Sequence, residues 1–468
     1  MSDPMNHQHP INQFIPLATW NLIEPHFTEF GRQKLIEVIE FVKTECIPAE
    51  SIFNSQISPD TSQRWERVPQ VIEDLKSRAR SKGLWNLFLS KAHYPDVGVP
   101  LTNLEYAVMA EVMGHAIRIA PESMNCSAPD TGNMEVLARY GTAAQKERWL
   151  KPLLEGKIRS SFSMTEPAVA SSDATNIQTQ LTYDHQNQQI IVNGRKWWIS
   201  GAGDPRNKIH LVMGKSDTSA PKHSQQSIVL VPSDAPGVKL IRPMQVFGYD
   251  DAPEGHFEVV YDNVRVPVEN LVHGWGKGFE IVQSRLGPGR IHHCMRAIGM
   301  AERAIEIMLL RVTEPHKKTF GKLLYQHGSV SDVIARSRIE LDGIRMLVYS
   351  AALQIDLHKA KGAMKSIGMA KAIVPKVVGE IIDRAIQVHG GEGLSQDQPL
   401  AAMFGGVRTL RMADGPDEVH LAQVAKQELA RVADLRRQRE SFKTIERAYN
   451  EKYGIFKDDE QRGKKPRL

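Results

Sequence analysis

Cysteine is scarce in this chain: Cys46, Cys126 and Cys294 are its three thiols in 468 residues. They are too few and too far apart for a disulfide framework or a zinc site, and they favour a reducing compartment. Long apolar runs are missing as well; none approaches the roughly 20 residues of a membrane span. A charge excess of one sign is absent from the body. The formal net charge is +5, but from Arg431 onward twelve Lys and Arg face seven Asp and Glu, which accounts for all of it. The 47 basic and 47 acidic residues that remain balance. That excludes a whole-surface field for nucleic acid and reads the basic tail as a solvated terminus. Near the start, Asp3 and Glu24 precede the first arginine, Arg32, and no apolar signal core occurs. A cleaved presequence is therefore not expected. The final Pro466-Arg467-Leu468 resembles a variant of the peroxisomal Ser-Lys-Leu address, so a peroxisome is the expected location and the cytoplasm the alternative.

What is present is a globular composition, 41% hydrophobic and 24% charged, long enough for two or three domains. Residues 1–31 show little periodicity and read as an extension. From Arg32 helical spacing begins, with Leu35, Ile39, Val42 and Cys46 on one face and Pro48 expected to end the run. Segments 68–82, 103–119 and 142–154 continue the pattern, giving an N-terminal α domain over 32–157. The period then becomes that of strands. Gln178–Tyr183 and Gln189–Val192 are β-type runs, and Asn193-Gly194 is a strong hairpin signal. Runs at 209–213, 227–231, 238–241 and 256–266 complete a middle antiparallel β domain, 158–273, with 219–226 an exposed loop. From 274 to 435 long amphipathic stretches fit an antiparallel helical bundle, with Pro288 and Pro375 interrupting two of them. A basic tail, 436–468, follows. The fold class is α+β, in the order α, β, α.

Several short motifs carry chemistry. In Met164-Thr165-Glu166-Pro167-Ala168-Val169-Ala170-Ser171-Ser172-Asp173, small residues allow close backbone approach to a ligand, and hydroxyls offer neutral donors for a ring edge and a phosphate. In Lys196-Trp197-Trp198-Ile199-Ser200, strand alternation puts Trp198 and Ser200 on one face, one to lean on a flat ring and the other to bond its edge. The bland alternatives are a loop and a core tryptophan. Glycine clusters at 274–278, 287–289 and 390–393 lie outside any strand–loop–helix unit, which rejects a Rossmann or P-loop reading. Adjacent helical residues point about 100° apart, so His292-His293-Cys294 is poorly placed to chelate and reads as packing or surface. No metal is expected. In Arg411-Met412-Ala413-Asp414-Gly415-Pro416-Asp417-Glu418-Val419-His420, Pro416 suits a first helical position. Asp414 is either a general base in an apolar setting or a simple helix cap.

Taken in order, Met-Thr-Glu-Pro (164–167), Lys-Trp-Trp-Ile-Ser (196–200), Lys-Thr-Phe-Gly-Lys (318–322), Gln-Val-His-Gly-Gly-Glu-Gly (387–393) and Ala-Asp-Gly-Pro-Asp-Glu-Val-His (413–420) resemble the acyl-CoA dehydrogenase family. The run Arg-Leu-Gly-Pro-Gly-Arg (285–290) resembles in particular the dehydrogenase part of its members ten and eleven. The animal versions carry an additional kinase-like domain, for which this chain has no room. The resemblance implies an FAD enzyme acting on an acyl-CoA in fatty-acid β-oxidation or a related pathway. It implies that Phe162, Met164 and Thr165 line and hydrogen-bond the flavin, that Trp198 packs on it, and that Ser200 sits near its N5. Ser171 or Ser172 would meet a phosphate of FAD or CoA. Arg290 would hold the CoA moiety and Gly415 would touch substrate. Pro416 and Glu418 would meet the adenosine side of the cofactor. Lys317, Thr319 and Phe320, with Gln387, Gly390 and Gly391, would grip the FAD of a neighbouring subunit, implying a homodimer or homotetramer. Asp414 falls at the catalytic base, while the family's other base position holds Gly289, which cannot serve. The electron acceptor would be an electron-transfer flavoprotein or O2. An acyl-CoA oxidase and a nitroalkane oxidase are the enzymatic alternatives. A DNA-associated alkylation-response flavoprotein is the reading from another class, supported by the basic tail alone.

Overall fold

The computed structural model describes residues 10–455. The proposed tripeptide address at 466–468 lies outside them. The chain opens with α1 (Leu17–Ile23), α2 (Glu29–Phe41), α3 (Ile47–Gln56), α4 (Gln70–Ser81) and α5 (Asn103–Gly114). Short α6 (Ala120–Ser123), α7 (Asp130–Tyr140), α8 (Ala143–Gln145) and α9 (Lys151–Leu154) follow. Helix thus begins inside the stretch expected to be an irregular extension. Pro48 does not end a helix: α2 runs into α3 through a π-turn at Val42–Cys46, where Ile47 N–H bonds Val42 O. The same device recurs at Lys146–Leu150 ahead of Pro152. A widened turn leaves room for the proline ring, which would otherwise strike the carbonyl one turn back.

Helix α5 is buried along its whole length. Its start is fixed by a reciprocal cap, Thr102 Oγ1 accepting from Glu105 N and Glu105 Oε2 from Thr102 N. It crosses the long helix α10 (Gly278–Thr313) where Gly114 and Gly299 meet; a Cβ on Gly299 would lie within 2 Å of Glu111 O. That close crossing seats α10 deep in the molecule, with one face turned toward the site described below.

The middle domain holds β1 (Arg159–Ser163), β2 (Gln180–Asp184), β3 (Gln189–Ser200), β4 (Asn207–Lys215), β5 (Gln226–Pro232), β6 (Val238–Met244) and β7 (His256–Pro267). The sheet order is β1-β4-β2-β3-β7-β6, with β5 on β4. The ladders are antiparallel except β1 with β4 and a single β2–β4 pair, which are parallel. Strand β4 is buried on both faces: Ile209, Leu211 and Met213 join the helical core, while Val212 joins the β core. The expected hairpin at Asn193-Gly194 does not form. Strand β3 runs through it with a register shift, and the chain reverses instead at 185–188. Here glycine answers a packing need, since a Cβ on Gly194 would lie 2.2 Å from Thr179 Oγ1.

After α10 come a small hairpin, β8 (Lys318–Thr319) and β9 (Lys322–Leu323), and α11 (Gly328–Gly362) with a break at Lys359. Then follow α12 (Met364–His389), α13 (Gly391–Leu394), α14 (Leu400–Thr409), α15 (Asp417–Leu429) and α16 (Val432–Lys452). Neither α10 at position 288 nor α12 at Pro375 is interrupted, in contrast to expectation. Pro375 is buried within α12, where packing of its ring offsets the hydrogen bond it forgoes. Among the described helices none is long and apolar enough to cross a membrane.

Candidate active site

Three elements converge on the middle of α10. The first is the turn between α14 and α15. Asp414 (φ +57°) and Gly415 (φ +104°) are both left-handed there, a pair of angles that glycine tolerates and aspartate adopts more readily than most residues. The turn is clamped from several sides. Arg290 Nε donates to Asp414 O at 3.0 Å, and Lys371 Nζ from α12 donates to Leu410 O and, at 3.4 Å, to Gly415 O. Arg411 Nε donates to Asp417 Oδ2 at 2.7 Å and closes the base of the turn. His420 lies against Gly415, 3.1 Å from where a Cβ would stand. Pro416 sits one position earlier than expected, as the N-cap of α15 rather than its first helical residue, and Glu418 is exposed on the first turn.

The Asp414 carboxylate faces α10. His293 Nε2 is 3.5 Å from Asp414 Oδ2, and a Cβ on Gly289 would be 3.5 Å from the same oxygen. Burial alone would push the Asp414 carboxyl upward. His293, Arg285, Lys371 and Arg290 outweigh it and hold the group below the usual aspartate range. Burial pushes His293 down to about 4. At neutral pH the imidazole is therefore uncharged, and the cations that keep Asp414 ionised are Arg285, Lys371 and Arg290. His293, expected to be a packing or surface residue, lies instead beside the candidate base. His292 turns away to stack edge-on with Tyr106.

The second element is the end of β1. Phe162 is half-buried, with the Arg285 guanidinium 4.2 Å from its ring centroid, and the charge of the same guanidinium helps to hold Asp414 low. Met164 and Thr165 follow. Thr165 Oγ1 donates to Trp197 O at 2.6 Å, and Trp197 N donates to Thr165 O at 3.1 Å. Lys196 Nζ donates to Met164 O, Met213 O and Glu166 Oε1, each at 2.8 Å. Glu166 also accepts from Gln178 N, Thr179 N and Thr179 Oγ1. The buried Lys196–Glu166 pair thus nails residues 164–166 to β3. Ser171 Oγ accepts from Glu166 N at 2.9 Å and so braces the same loop, whereas Ser172 is exposed.

The third element is the end of β3. Alternation does not set the side-chain directions here. The β3–β7 register slips between Lys196 and Ile199, and Trp198 takes φ +56°. His256 on β7 nevertheless gathers the two residues: its Nδ1 is 2.9 Å from Ser200 Oγ and its ring 5.6 Å from that of Trp198. His256 was not anticipated, because only the strand pairing brings it there. A recess of about 520 Å³ lies beside Trp197, Arg195 and Arg242, and Asp414 does not line it.

A separate surface joins the two remaining motifs. The β8–β9 turn places Phe320 (φ +51°) and Gly321 (φ +77°) at its centre, and Phe320 is 94% exposed. A left-handed turn position is costly for a bulky aromatic and marks a side chain offered outward. Lys317 Nζ reaches Glu392 at 3.6 Å, and Arg311 bonds both Glu392 and His389 O. Thr319 is exposed on β8; Gln387 and Gly391 are exposed around Gly390, a left-handed glycine at the end of α12. The Lys317–Glu392 contact thus brings the base of the β8–β9 hairpin next to the turn that follows α12. Among the described residues no His, Cys, Asp and Glu cluster is placed to hold a metal ion.

Comparison with known proteins follows this geometry. The acyl-CoA dehydrogenase N-terminal, middle and C-terminal domain models match residues 37–157, 161–264 and 276–429. Acyl-CoA dehydrogenase family member 10 of Mus musculus is 51% identical over 412 residues, 87% of this chain and 38% of that protein. Probable acyl-CoA dehydrogenase FadE2 of Mycobacterium tuberculosis is 52% identical over 387 residues, covering 82% of this chain and 92% of that one. Against member 11 of Gallus gallus the chain spans half of the relative's length. A solved structure from Mycobacterium abscessus, assigned to the acyl-CoA dehydrogenases, superposes with TM-score 0.83 at 45% identity, covering 86% of this chain and 99% of that chain.

Proposed function

The chain belongs to the acyl-CoA dehydrogenase family, and from that premise we propose that it is an FAD enzyme that converts an acyl-CoA thioester to the trans-2-enoyl-CoA, with Asp414 as the base. One observation carries the reading. A largely buried carboxylate sits on a clamped turn and faces α10, the same helix whose Arg285 guanidinium lies over the ring of Phe162.

The donor set fits the cofactor. Phe162 and Trp198 supply aromatic faces, Ser200 supplies a neutral hydroxyl, and Thr165, whose own proton goes to Trp197 O, supplies a hydroxyl oxygen that can accept from a ring edge. FAD when bound supplies the acceptor for the β-hydride. The chain's own residues do the rest. Asp414 Oδ2 takes the α-proton as the α,β double bond forms. The α-C–H is a weak acid, so the thioester oxygen needs a donor, and the backbone N–H of Asp414 is the group on this turn suited to it. Lys371 and Arg290 hold the turn's carbonyls, so the base is fixed before substrate arrives. The outward Phe320 hairpin and the Gly390 turn support a second copy completing the cofactor site from the adjacent subunit. The electrons then leave to an electron-transfer flavoprotein, with O2 as the alternative acceptor, and an acyl pathway such as β-oxidation supplies the substrate.

Anaerobic titration of the holoenzyme with acyl-CoAs of graded length tests this. The flavin band bleaches with the preferred thioester, and admission of air separates oxidase from dehydrogenase behaviour. Asp414→Asn retains FAD but bleaches at least about a thousandfold more slowly. Wild-type bleaching by that variant would sink the assignment of the base.

A further inference from the structure

His293 stands one helical turn beyond Gly289, on the face that α10 turns to Asp414. Where glycine leaves room, His293 fills it with a polar atom: Nε2 is 3.5 Å from Asp414 Oδ2. Its other ring nitrogen, Nδ1, is 3.3 Å from Arg296 on the next turn of the same helix. A guanidinium can only donate, so Nδ1 is the acceptor in that contact. The one proton of the neutral imidazole is then on Nε2, the ring nitrogen that lies 3.5 Å from the carboxylate. Arg296 is itself buried, with its guanidinium toward Cys126 O.

The groups facing Asp414 divide by what they touch. From α10, Arg290 bonds its backbone carbonyl, and Arg285 lies over Phe162. Cys294, also on α10, is a buried thiol that stays protonated. From α12, Lys371 bonds the carbonyls of Leu410 and Gly415. From α15, His420 lies against Gly415. Among the described residues, His293 is the basic side chain with a nitrogen within 4 Å of a carboxylate oxygen of Asp414.

We propose that His293 is a positioning residue for the dehydrogenation: it donates Nε2–H to Asp414 Oδ2, fixes the carboxylate toward the substrate and favours its ionised form, while Arg296 fixes the tautomer that makes this possible. The proposal rests on the reading of Asp414 as the base. A contact of 3.5 Å is long for a hydrogen bond, and such contacts at catalytic groups commonly tighten once substrate is bound.

The test uses FAD-loaded enzyme and the pH profile of kcat/KM with the acyl-CoA that bleaches the wild type. Glutamine superposes an amide N–H on Nε2; leucine and asparagine do not. His293→Leu and His293→Asn are expected to move the acid limb up by about one pH unit and to lower kcat roughly tenfold, with KM changed less than about threefold. His293→Gln is expected to restore the limb to within about 0.3 unit of wild type. Arg296→Met frees the tautomer and is expected to give an intermediate shift. If His293→Leu does not fold, the Asn and Gln pair decides alone. An acid limb unmoved in the donor-less variants, or one displaced as far in His293→Gln, overturns the proposal. An acid limb and rate unchanged in Asp414→Asn would instead overturn the base assignment, whatever the His293 variants do.

Discussion

Asp414 is recognisable in the sequence because its neighbours are, whereas His293 is not. Nothing near His292-His293-Cys294 in the chain says which ring meets a carboxylate more than a hundred residues away. That is decided by the phase of α10 and the path of the turn before α15. Trp198 shows the opposite case: the residue was legible, but the reason for its direction was not, because a bulge sets it rather than strand alternation. Glu166 and Lys196 sit inside two legible motifs, yet their work is structural. Burial lowers Lys196 to about 8 against the pull of Glu166, while Glu166, despite burial, is held low by Lys196 and the Thr179 donors. At neutral pH both are charged. Lys196→Met leaves a buried carboxylate with its remaining donors and frees the Met164 and Met213 carbonyls. Breaking such a pair costs about 3–5 kcal/mol. The expected outcome is a clear drop in chemical-denaturation midpoint together with weaker retention of FAD, measured on gel-filtered protein by the ratio of flavin to protein absorbance. Unchanged stability would mean that the pair does not pin the 164–166 segment.

At the scale of elements, the order α, β, α and the positions of the longer helices and strands follow from periodicity, since those segments bury one face or both. Three prolines and one glycine misled. Pro48 reads as a stop, but a π-turn absorbs it. Asn193-Gly194 reads as a hairpin, but both residues are inside β3, where Asn193 Oδ1 accepts from Asn263 N and Gly194 makes room for Thr179. Local turn preference lost to two long-range contacts. Gly194→Ala therefore tests the packing reading directly. The added methyl would press on Thr179, whose hydroxyl and amide both serve Glu166. Overpacking of this kind costs about 1–3 kcal/mol. A loss in that range by urea unfolding is expected; a gain in stability would mean that the glycine was only a turn residue after all.

At the scale of the whole molecule, the helical and β domains meet through buried charge. Arg159 bonds Glu122, Asp130 and Glu254, and Arg206 bonds Glu73, Glu122 and Asp204. In the described part of the basic tail, α16 pairs Arg437 with Asp434 and Lys443 with Glu440. In the inter-domain network Glu122 is held low by Arg206 and Arg159 against its burial. Glu254 is raised to about 8 by burial and the proximity of Glu122, despite Arg159. Glu135 on α7, buried near Arg285, is likewise raised to about 8. A carboxyl that binds its proton more tightly when folded than at its ordinary value of 4.5 stabilises the fold fully below that value. The contribution declines as pH rises and is gone above about 8. Stability should therefore fall between about pH 5 and pH 8. One-third of the Glu254 side chain is exposed, so solvent screens part of its share. A decrease in Tm of about 3 °C over that range is expected, with Glu254→Gln reducing the slope and Glu135→Gln removing most of what remains. Because Gly255 O accepts from Gly201 N and His256 bonds Ser200, loosening at Glu254 should also release flavin at alkaline pH. Flavin fluorescence followed alongside Tm separates the two contributions. Parallel release and melting in the wild type, but not in Glu254→Gln, locates the weak point at the domain junction, whereas a slope untouched by Glu254→Gln assigns it to Glu135.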